Sequence, residues 1–258
     1  LKVPEQYEVI FSEGRAEFRR NDNQFSLHTE IVVSPEDDIE LRRTRIVNRA
    51  RTTRSIDITS YAEVVMASGA ADAMHPAFSN LFVQTEIVPE RHTLLCTRRP
   101  RSSNEKNPWL FHLMALHGAE IDEVSYETDR MQFIGRGQSV ATPDALRQIG
   151  PLSNRQGSVL DPIVAIRYRI TLQPEQTATI DLVTGIAASR ELCLDLAGKY
   201  QDRHLAERVV ELSWTHSQVM LRQLNASEAD AQLYGHLASS VIYVNPQLRA
   251  DAAILMRN

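Results

Sequence analysis

Ile163-Val-Ala-Ile-Arg-Tyr-Arg-Ile-Thr-Leu172, then Gln173-Pro-Glu175, then Thr177-Ala-Thr-Ile-Asp-Leu-Val-Thr-Gly-Ile186 is the stretch that decides the fold. Ile166, Tyr168, Ile170 and Leu172 recur at every second position, so an extended chain puts them all on one side. Pro174 pre-sets the bend between the two runs, and the break reads as a short hairpin turn. The same period appears upstream in Phe25–Val33, Ile39–Val47, Ser55–Met66, Leu81–Val88 and Trp109–Leu116. Turn-forming Asn21-Asp-Asn23 and Ser34-Pro-Glu-Asp-Asp38 separate some of these runs. Many short strands so spaced predict antiparallel sheets packed as a sandwich, a mainly β fold.

After Ala187 the period lengthens. Ser189 caps a predicted helix with Leu192, Leu196 and Tyr200 at four-residue steps. A second helix is expected to start near Asp202 and stack Leu205, Val209, Leu212, His216 and Met220 on one side. A third follows Ser227, carries Ala231, Tyr234, Ala238 and Val241, and stops near Asn245-Pro246. Strands first and helices after predict two segregated parts, a sandwich over 1–187 and a helical linker over 188–258. The helices carry little polar chemistry and read as connector.

The 258 residues hold 28 Lys plus Arg against 33 Asp plus Glu, a net charge of -5. That balance argues against nucleic acid, which demands a basic face. Cys96 and Cys193 fit neither a disulfide framework nor a metal-ligand spacing, so buried reduced thiols are expected. No apolar run reaches the roughly 20 residues that span a bilayer, and direct membrane contact is not expected. The first residue is not Met, so a piece of a longer or processed protein is expected.

Several longer peptides resemble the cyclic β-1,2-glucan synthases. They include Ser34-Pro-Glu-Asp-Asp-Ile-Glu-Leu-Arg-Arg43, Thr59-Ser-Tyr-Ala-Glu-Val64 and Ala71-Asp-Ala-Met-His-Pro-Ala-Phe-Ser-Asn-Leu-Phe82. Cys96-Thr-Arg-Arg-Pro-Arg-Ser102, Tyr126-Glu-Thr-Asp-Arg130, Phe133-Ile-Gly-Arg136 and Lys199-Tyr-Gln-Asp-Arg203 continue the match. Trp214-Thr-His-Ser-Gln218 and Tyr243-Val-Asn-Pro246 carry it into the helices. More distantly, the layout is similar to the N-terminal half of the cellobiose and chitobiose phosphorylases of glycoside hydrolase family ninety-four. The resemblance implies a galactose-mutarotase-like β-supersandwich followed by an α-helical linker and then an α/α barrel holding the catalytic acid. It implies further sandwich strands before Leu1, a parent anchored in the bacterial inner membrane with this part on the cytoplasmic side, and UDP-glucose as the parent's donor. The family's catalytic Asp-Trp-Asn-Asp-like stretch is absent from this sequence, so no catalytic residue transfers here.

Glycosidic chemistry requires a general acid and, for hydrolysis, a second carboxylate roughly 5 to 10 Å away. Asp57, Glu63, Glu86, Glu127 and Asp129 are the strand-borne candidates, and ion-paired or solvated surface groups are the plainer reading of each. Asp129 beside Arg130 suggests an ion pair at a turn. The small residues of Ala67–Ala73 predict an ordered loop presenting His75 and Phe78 to a ligand or neighbouring domain. In the plainer reading Phe78, Leu81 and Phe82 plug that loop onto the core. Arg98, Arg99 and Arg101 offer guanidinium forks for a sugar hydroxyl or phosphate, or simply a solvated loop. Trp109 and Trp214 could stack on sugar rings, with core burial the plainer expectation for both. His112 and His117 lie five apart on a strand and so face opposite ways. No metal or cofactor is expected.

The candidate carbohydrate-binding residues are therefore His75, Phe78, Arg101, Trp109, Asp129 and Arg130. The expected partners are β-1,2-glucan or another glucosyl oligosaccharide and a downstream α/α barrel. Three readings compete: a non-catalytic sandwich scaffolding such a barrel, a self-sufficient glycoside-processing domain, and an interaction module that binds no sugar.

Overall fold

A computed structural model describes residues 3–100, 107–242 and 250–256. Strands β1 (Gln6–Ser12), β2 (Arg15–Asp22), β3 (Phe25–Val33) and β4 (Ile39–Asn48) form a meander. Then come β5 (Arg54–Thr59), β6 (Ala62–Glu63), helices α1 (Gly69–Met74) and α2 (Pro76–Asn80), β7 (Val83–Val88), β8 (Thr93–Arg98) and β9 (Trp109–His117). They are followed by β10 (Ile121–Asp129), α3 (Arg130–Ile134), β11 (Gly157–Ser158), β12 (Pro162–Leu172) and β13 (Thr177–Ala187). Helices α4 (Arg190–Tyr200), α5 (Arg203–Gln223), α6 (Glu228–Ile242) and α7 (Ala252–Leu255) end the chain.

One sheet has nine strands in the order β1-β2-β3-β4-β13-β9-β8-β7-β11, and the other has β10-β12-β5 with β6 beside β12. All pairings are antiparallel, as the alternation demands. The turn after Leu172 forms as expected: the Gln176 amide donates to the Gln173 carbonyl at 3.1 Å, and Glu175 takes a φ of 58°. That is a type II bend with Pro at its first corner. It does not make a hairpin, however. β12 belongs to the small sheet and β13 to the large one, so the bend carries the chain across the sandwich.

Strand alternation then fills three apolar layers. Val164, Ile166, Tyr168, Ile170 and Leu172 of β12 meet Ile46, Leu94, Met114 and Ile180 between the sheets. The Tyr168 hydroxyl donates to the Met114 carbonyl, satisfying a buried polar group across the layer. The opposite face of the large sheet, with Val32, Leu41, Leu95, Phe111, Leu113 and Val183, is covered by α4 and α5. Ile163 and Ala165 on the outer face of β12 lie under Phe133, Ile134 and Leu152.

The helix starts are those read from the caps: the Ser189 side chain accepts from the Leu192 amide, and that of Asp202 from the His204 amide. The buried stripes differ by a step. Cys193, Ala197 and Tyr200 of α4, and Ala206, Val209 and Ser213 of α5, face the sheet. Tyr200 is fully buried against the sheet, and turning this stripe inward leaves Leu192 half exposed and Trp214 outward at 61% exposure. The expectation of a core Trp214 is thereby corrected.

The connector is also more polar at its root than expected. Arg43 and Asp181, both buried beneath α5, form a bidentate pair at 2.7 and 2.9 Å, and Arg43 donates on to the Arg203 carbonyl. Lys199 at 2.6 Å and the Tyr200 hydroxyl both reach Asp37, and Arg208 pairs with Glu36 at 3.0 Å. The acidic turn after Val33 is thus the seat of α4 and α5.

Candidate functional site: the loop-bearing end of the sandwich

Strand register gathers the loops at one end. Val83 pairs with Arg98, Thr97 with Trp109, and Trp109 with Ala187. In the small sheet Glu63 pairs with Ile163 and Asp129 with Pro162. A hydrogen bond of 2.7 Å from Thr85 to Thr128 brings the two sheets together beside this end.

The segment expected as a loop before His75 is instead a pair of short helices. Ser68 caps α1 by accepting from the Ala71 amide, and Pro76 opens α2, where its missing N–H costs nothing. Ala70, Ala71 and Ala73 fit a helix better than a strand, and that propensity settles the segment. Its far end is tied down. Arg98 donates to the Ser79 carbonyl and hydroxyl at 2.9 and 3.0 Å, and Asn80 to Asp161 at 3.1 Å. The plug is Phe82, half buried under the guanidinium groups of Arg98 and Arg99. His75 and Phe78 stay exposed, Phe78 at 57%, with its ring edge-on to Phe82.

Asp129 and Arg130 do not pair with each other, contrary to the expected turn ion pair. Asp129 ends β10 and caps α3, accepting from the Met131 amide at 2.9 Å and from Arg155 at 2.9 Å. Arg130 points instead to Glu63 at 2.9 Å and to Asp161 at 3.7 Å. Glu63 also accepts from the Tyr61 hydroxyl at 2.9 Å. The hydrogen bonds from Arg130 and Tyr61 outweigh burial and hold the Glu63 carboxyl below its ordinary range. Burial and then the adjacent Glu63 push Tyr61 up to about 12. Asn80, Asp161, Arg130, Glu63 and Tyr61 therefore form one chain linking α2, the start of β12, α3 and β6.

This network brings the His75–Phe78 and Asp129–Arg130 segments to the same end of the molecule. Trp109 starts β9 there, but its side chain packs in the layer under α4, and its carbonyl accepts from the Cys193 thiol at 3.4 Å. Arg101 lies outside the described residues, as does the Tyr243–Pro246 match. Tyr61, Asn80 and Asp161 were not singled out in the sequence; Tyr61 lies in the quoted Thr59–Val64 peptide and Asn80 in Ala71–Phe82.

The remaining carboxylates have partners too. Asp57 takes a two-pronged contact from Arg169 at 2.8 and 3.0 Å, which lowers its pKa against the effect of burial. Glu86 is gripped by Arg190. Glu127 is the exception to the surface reading: it is buried and accepts from Ser153 and from two backbone amides. His112, between the sheets, bonds Thr184 and Ser60 at 2.8 and 2.9 Å, while His117 faces Asp181 on the helix side. Cys96 and Cys193 are free and buried. Among the described residues no group of three or more His, Cys, Asp or Glu is placed to hold a metal, and no helix is long and apolar enough to cross a membrane.

Residues 1–203 match the family described as Glycosyl hydrolase 94, supersandwich domain. The chain is 30% identical over 242 residues to cyclic beta-(1,2)-glucan synthase NdvB of Rhizobium meliloti (strain 1021). That alignment covers 94% of this chain and 8% of the synthase. Among solved structures, a bacterial glucoamylase complexed with acarbose superposes with a TM-score of 0.52 at 7% identity, over 86% of this chain and 30% of the glucoamylase. At that identity the likeness concerns the fold alone. With antiparallel sheets, trailing helices and a family match over most of its length, the chain belongs to the glycosyl hydrolase 94 supersandwich family.

Proposed function

We propose that this chain is the non-catalytic sandwich of a glucan-synthesising enzyme, a platform over 1–187 with a helical bridge over 188–258 to a catalytic α/α barrel. The observation that carries this reading is the state of the carboxylates. A glycosidic general acid must keep its proton near neutrality, commonly through an apolar setting that raises its pKa. Glu63 and Asp57 are held by arginines and pushed the other way. Asp129 serves as a helix cap, and Glu86 is paired. The acids at this end fasten loops together, as a docking surface requires.

In this reading the exposed His75–Phe78 edge meets glucan or the barrel, and the exposed apolar side chains of α5 and α6, Trp214 and Leu237 among them, face the neighbouring domain. The parent sits at the cytoplasmic side of the inner membrane, and this part adds no cofactor. The test is direct. Purified chain is incubated with β-1,2-gluco-oligosaccharides and phosphate, and released glucose and glucose 1-phosphate are measured. No release is expected. Turnover that disappears on Glu63→Gln would overturn the proposal.

A further inference from the structure

The outer face of the small sheet holds a second polar cluster that the loop-bearing end does not use. Antiparallel pairing sets Ser125 opposite Arg167 and Glu127 opposite Ala165. Glu127 and Arg167 are therefore diagonal neighbours on one face, about 7–8 Å apart at the backbone. Both are nearly out of water, at 2% and 5% exposure. Side chains of this length could meet, and they do not.

Arg167 instead donates to the Thr59 hydroxyl at 2.9 Å and to the carbonyls of Gly150 and Ala145 at 2.8 and 2.6 Å. Glu127 turns back to accept from the amides of Thr128 and Asp129 at 2.9 and 3.0 Å and from the Ser153 hydroxyl. Each charge is ringed by neutral dipoles, and burial pulls the Arg167 pKa down. Opposite charges left apart in a low dielectric forfeit a large attraction, so what lies between them matters.

Between them lies a cavity of about 240 Å³, lined by Glu127, Arg167, Gln132, Gln148, Gly150 and Ser153 among others. Its volume equals that of about eight waters, smaller than a drug-sized pocket. Gln132 and Gln148, both exposed, stand at the mouth of the cavity, and their side-chain amides make no hydrogen bond among the described residues. Leu152, itself buried, adds an apolar wall. An anion in this space would meet Glu127, and a cation would meet Arg167. A neutral molecule with several hydroxyls suits both, because each hydroxyl donates to the carboxylate side and accepts from the guanidinium side. The C–H face of a saturated ring would lie on Leu152.

From this geometry we infer that the cavity binds one neutral polyhydroxylated ring, a single pyranose-sized sugar unit, between Glu127 and Arg167. The site would work whether or not the sandwich abuts a catalytic neighbour, so it stands apart from the platform reading. The unit could be a free hexose or the end of a glucan chain.

The experiment is an amide NMR titration of the full chain with D-glucose and, separately, with the β-1,2-linked glucose disaccharide. Saturable shifts are expected at the Gly150, Leu152 and Ser153 backbone amides and at the side-chain amides of Gln132 and Gln148. The double variant Gln132→Ala, Gln148→Ala should weaken binding about tenfold, the effect of losing one or two neutral hydrogen bonds, with the rest of the spectrum unchanged. Response to glucose marks a free hexose as ligand, response to the disaccharide alone marks a chain end, and either supports the site. No shift at these residues with either sugar, or shifts that the double variant leaves intact, would overturn it.

Discussion

His112 sits between the sheets at 1% exposure, bonded to Thr184 and Ser60 and with no carboxylate beside it. Burial, and then the charge of Arg42, depress its pKa from 6.5 to about 3. The unfolded chain therefore takes up this proton at a higher pH than the folded one. Stability is full above about pH 6.5 and falls as pH drops toward 3, at most about 1.4 kcal/mol per pH unit from this one group. Asp37, whose burial is outweighed by Lys199 and Tyr200, adds a loss in the same direction only below about pH 3.8. In urea titrations between pH 6.5 and 4.5, His92 and His117, whose pKa values burial also lowers, add to the same limb, so the share of His112 is the part that its substitution removes. His112→Gln, which retains one donor and one acceptor, should flatten that limb; an unchanged slope would mean that the imidazole is not buried neutral. At this scale the sequence told that Ser189 caps one helix and that another starts at Asp202, because these side chains act on amides two or three positions away, while the caps at Ser68 and Asp129 were missed. It did not tell that Arg130 selects Glu63 over its neighbour Asp129, since that choice is made by β12 bringing β6 alongside.

Gly185 lies inside β13 where a strand normally favours a side chain. A Cβ there would come within 2.5 Å of Ile39, 2.7 Å of the Phe111 ring and 2.8 Å of the Asp38 carbonyl. The backbone carbonyl cannot move aside, because the Ile186 amide donates to it. Gly185→Ala should cost about 1–3 kcal/mol by overpacking, measured by denaturant unfolding, while Gly137→Ala, which meets nothing within 4 Å but has a φ of 73°, tests backbone strain alone. The long strands around Gly185 were legible because their alternation is strong. β1 and β2 were not, since Arg15, Glu17 and Arg19 place charges on the face later covered by ion pairs with Glu30 and Glu8. β10 was hidden likewise by Asp122, Glu123, Glu127 and Asp129. The bend at Pro174 shows the remaining gap: local chemistry dictates a turn, and only the packing of whole sheets decides which sheet the next strand joins.

For the molecule as a whole, the apolar accounts are settled on the sandwich and left open on the helices. α4 and the first half of α5 bury Cys193, Ala197, Tyr200, Ala206 and Val209 against the large sheet. Beyond Ser213, Trp214, Met220 and Leu224 of α5 and Leu233, Tyr234 and Leu237 of α6 are all well exposed. So many exposed large apolar side chains on two successive helices favour association. The isolated chain should therefore self-associate with rising concentration in light-scattering chromatography. Trp214→Glu combined with Leu237→Glu should return it to a monomer. Because neither side chain belongs to a buried cluster, the unfolding free energy should change by no more than about 0.5 kcal/mol per site. A loss of stability well beyond that would mean these residues pack on the sandwich rather than face outward. A wild-type chain that stays monomeric at high concentration would mean that these side chains do not act together as one surface.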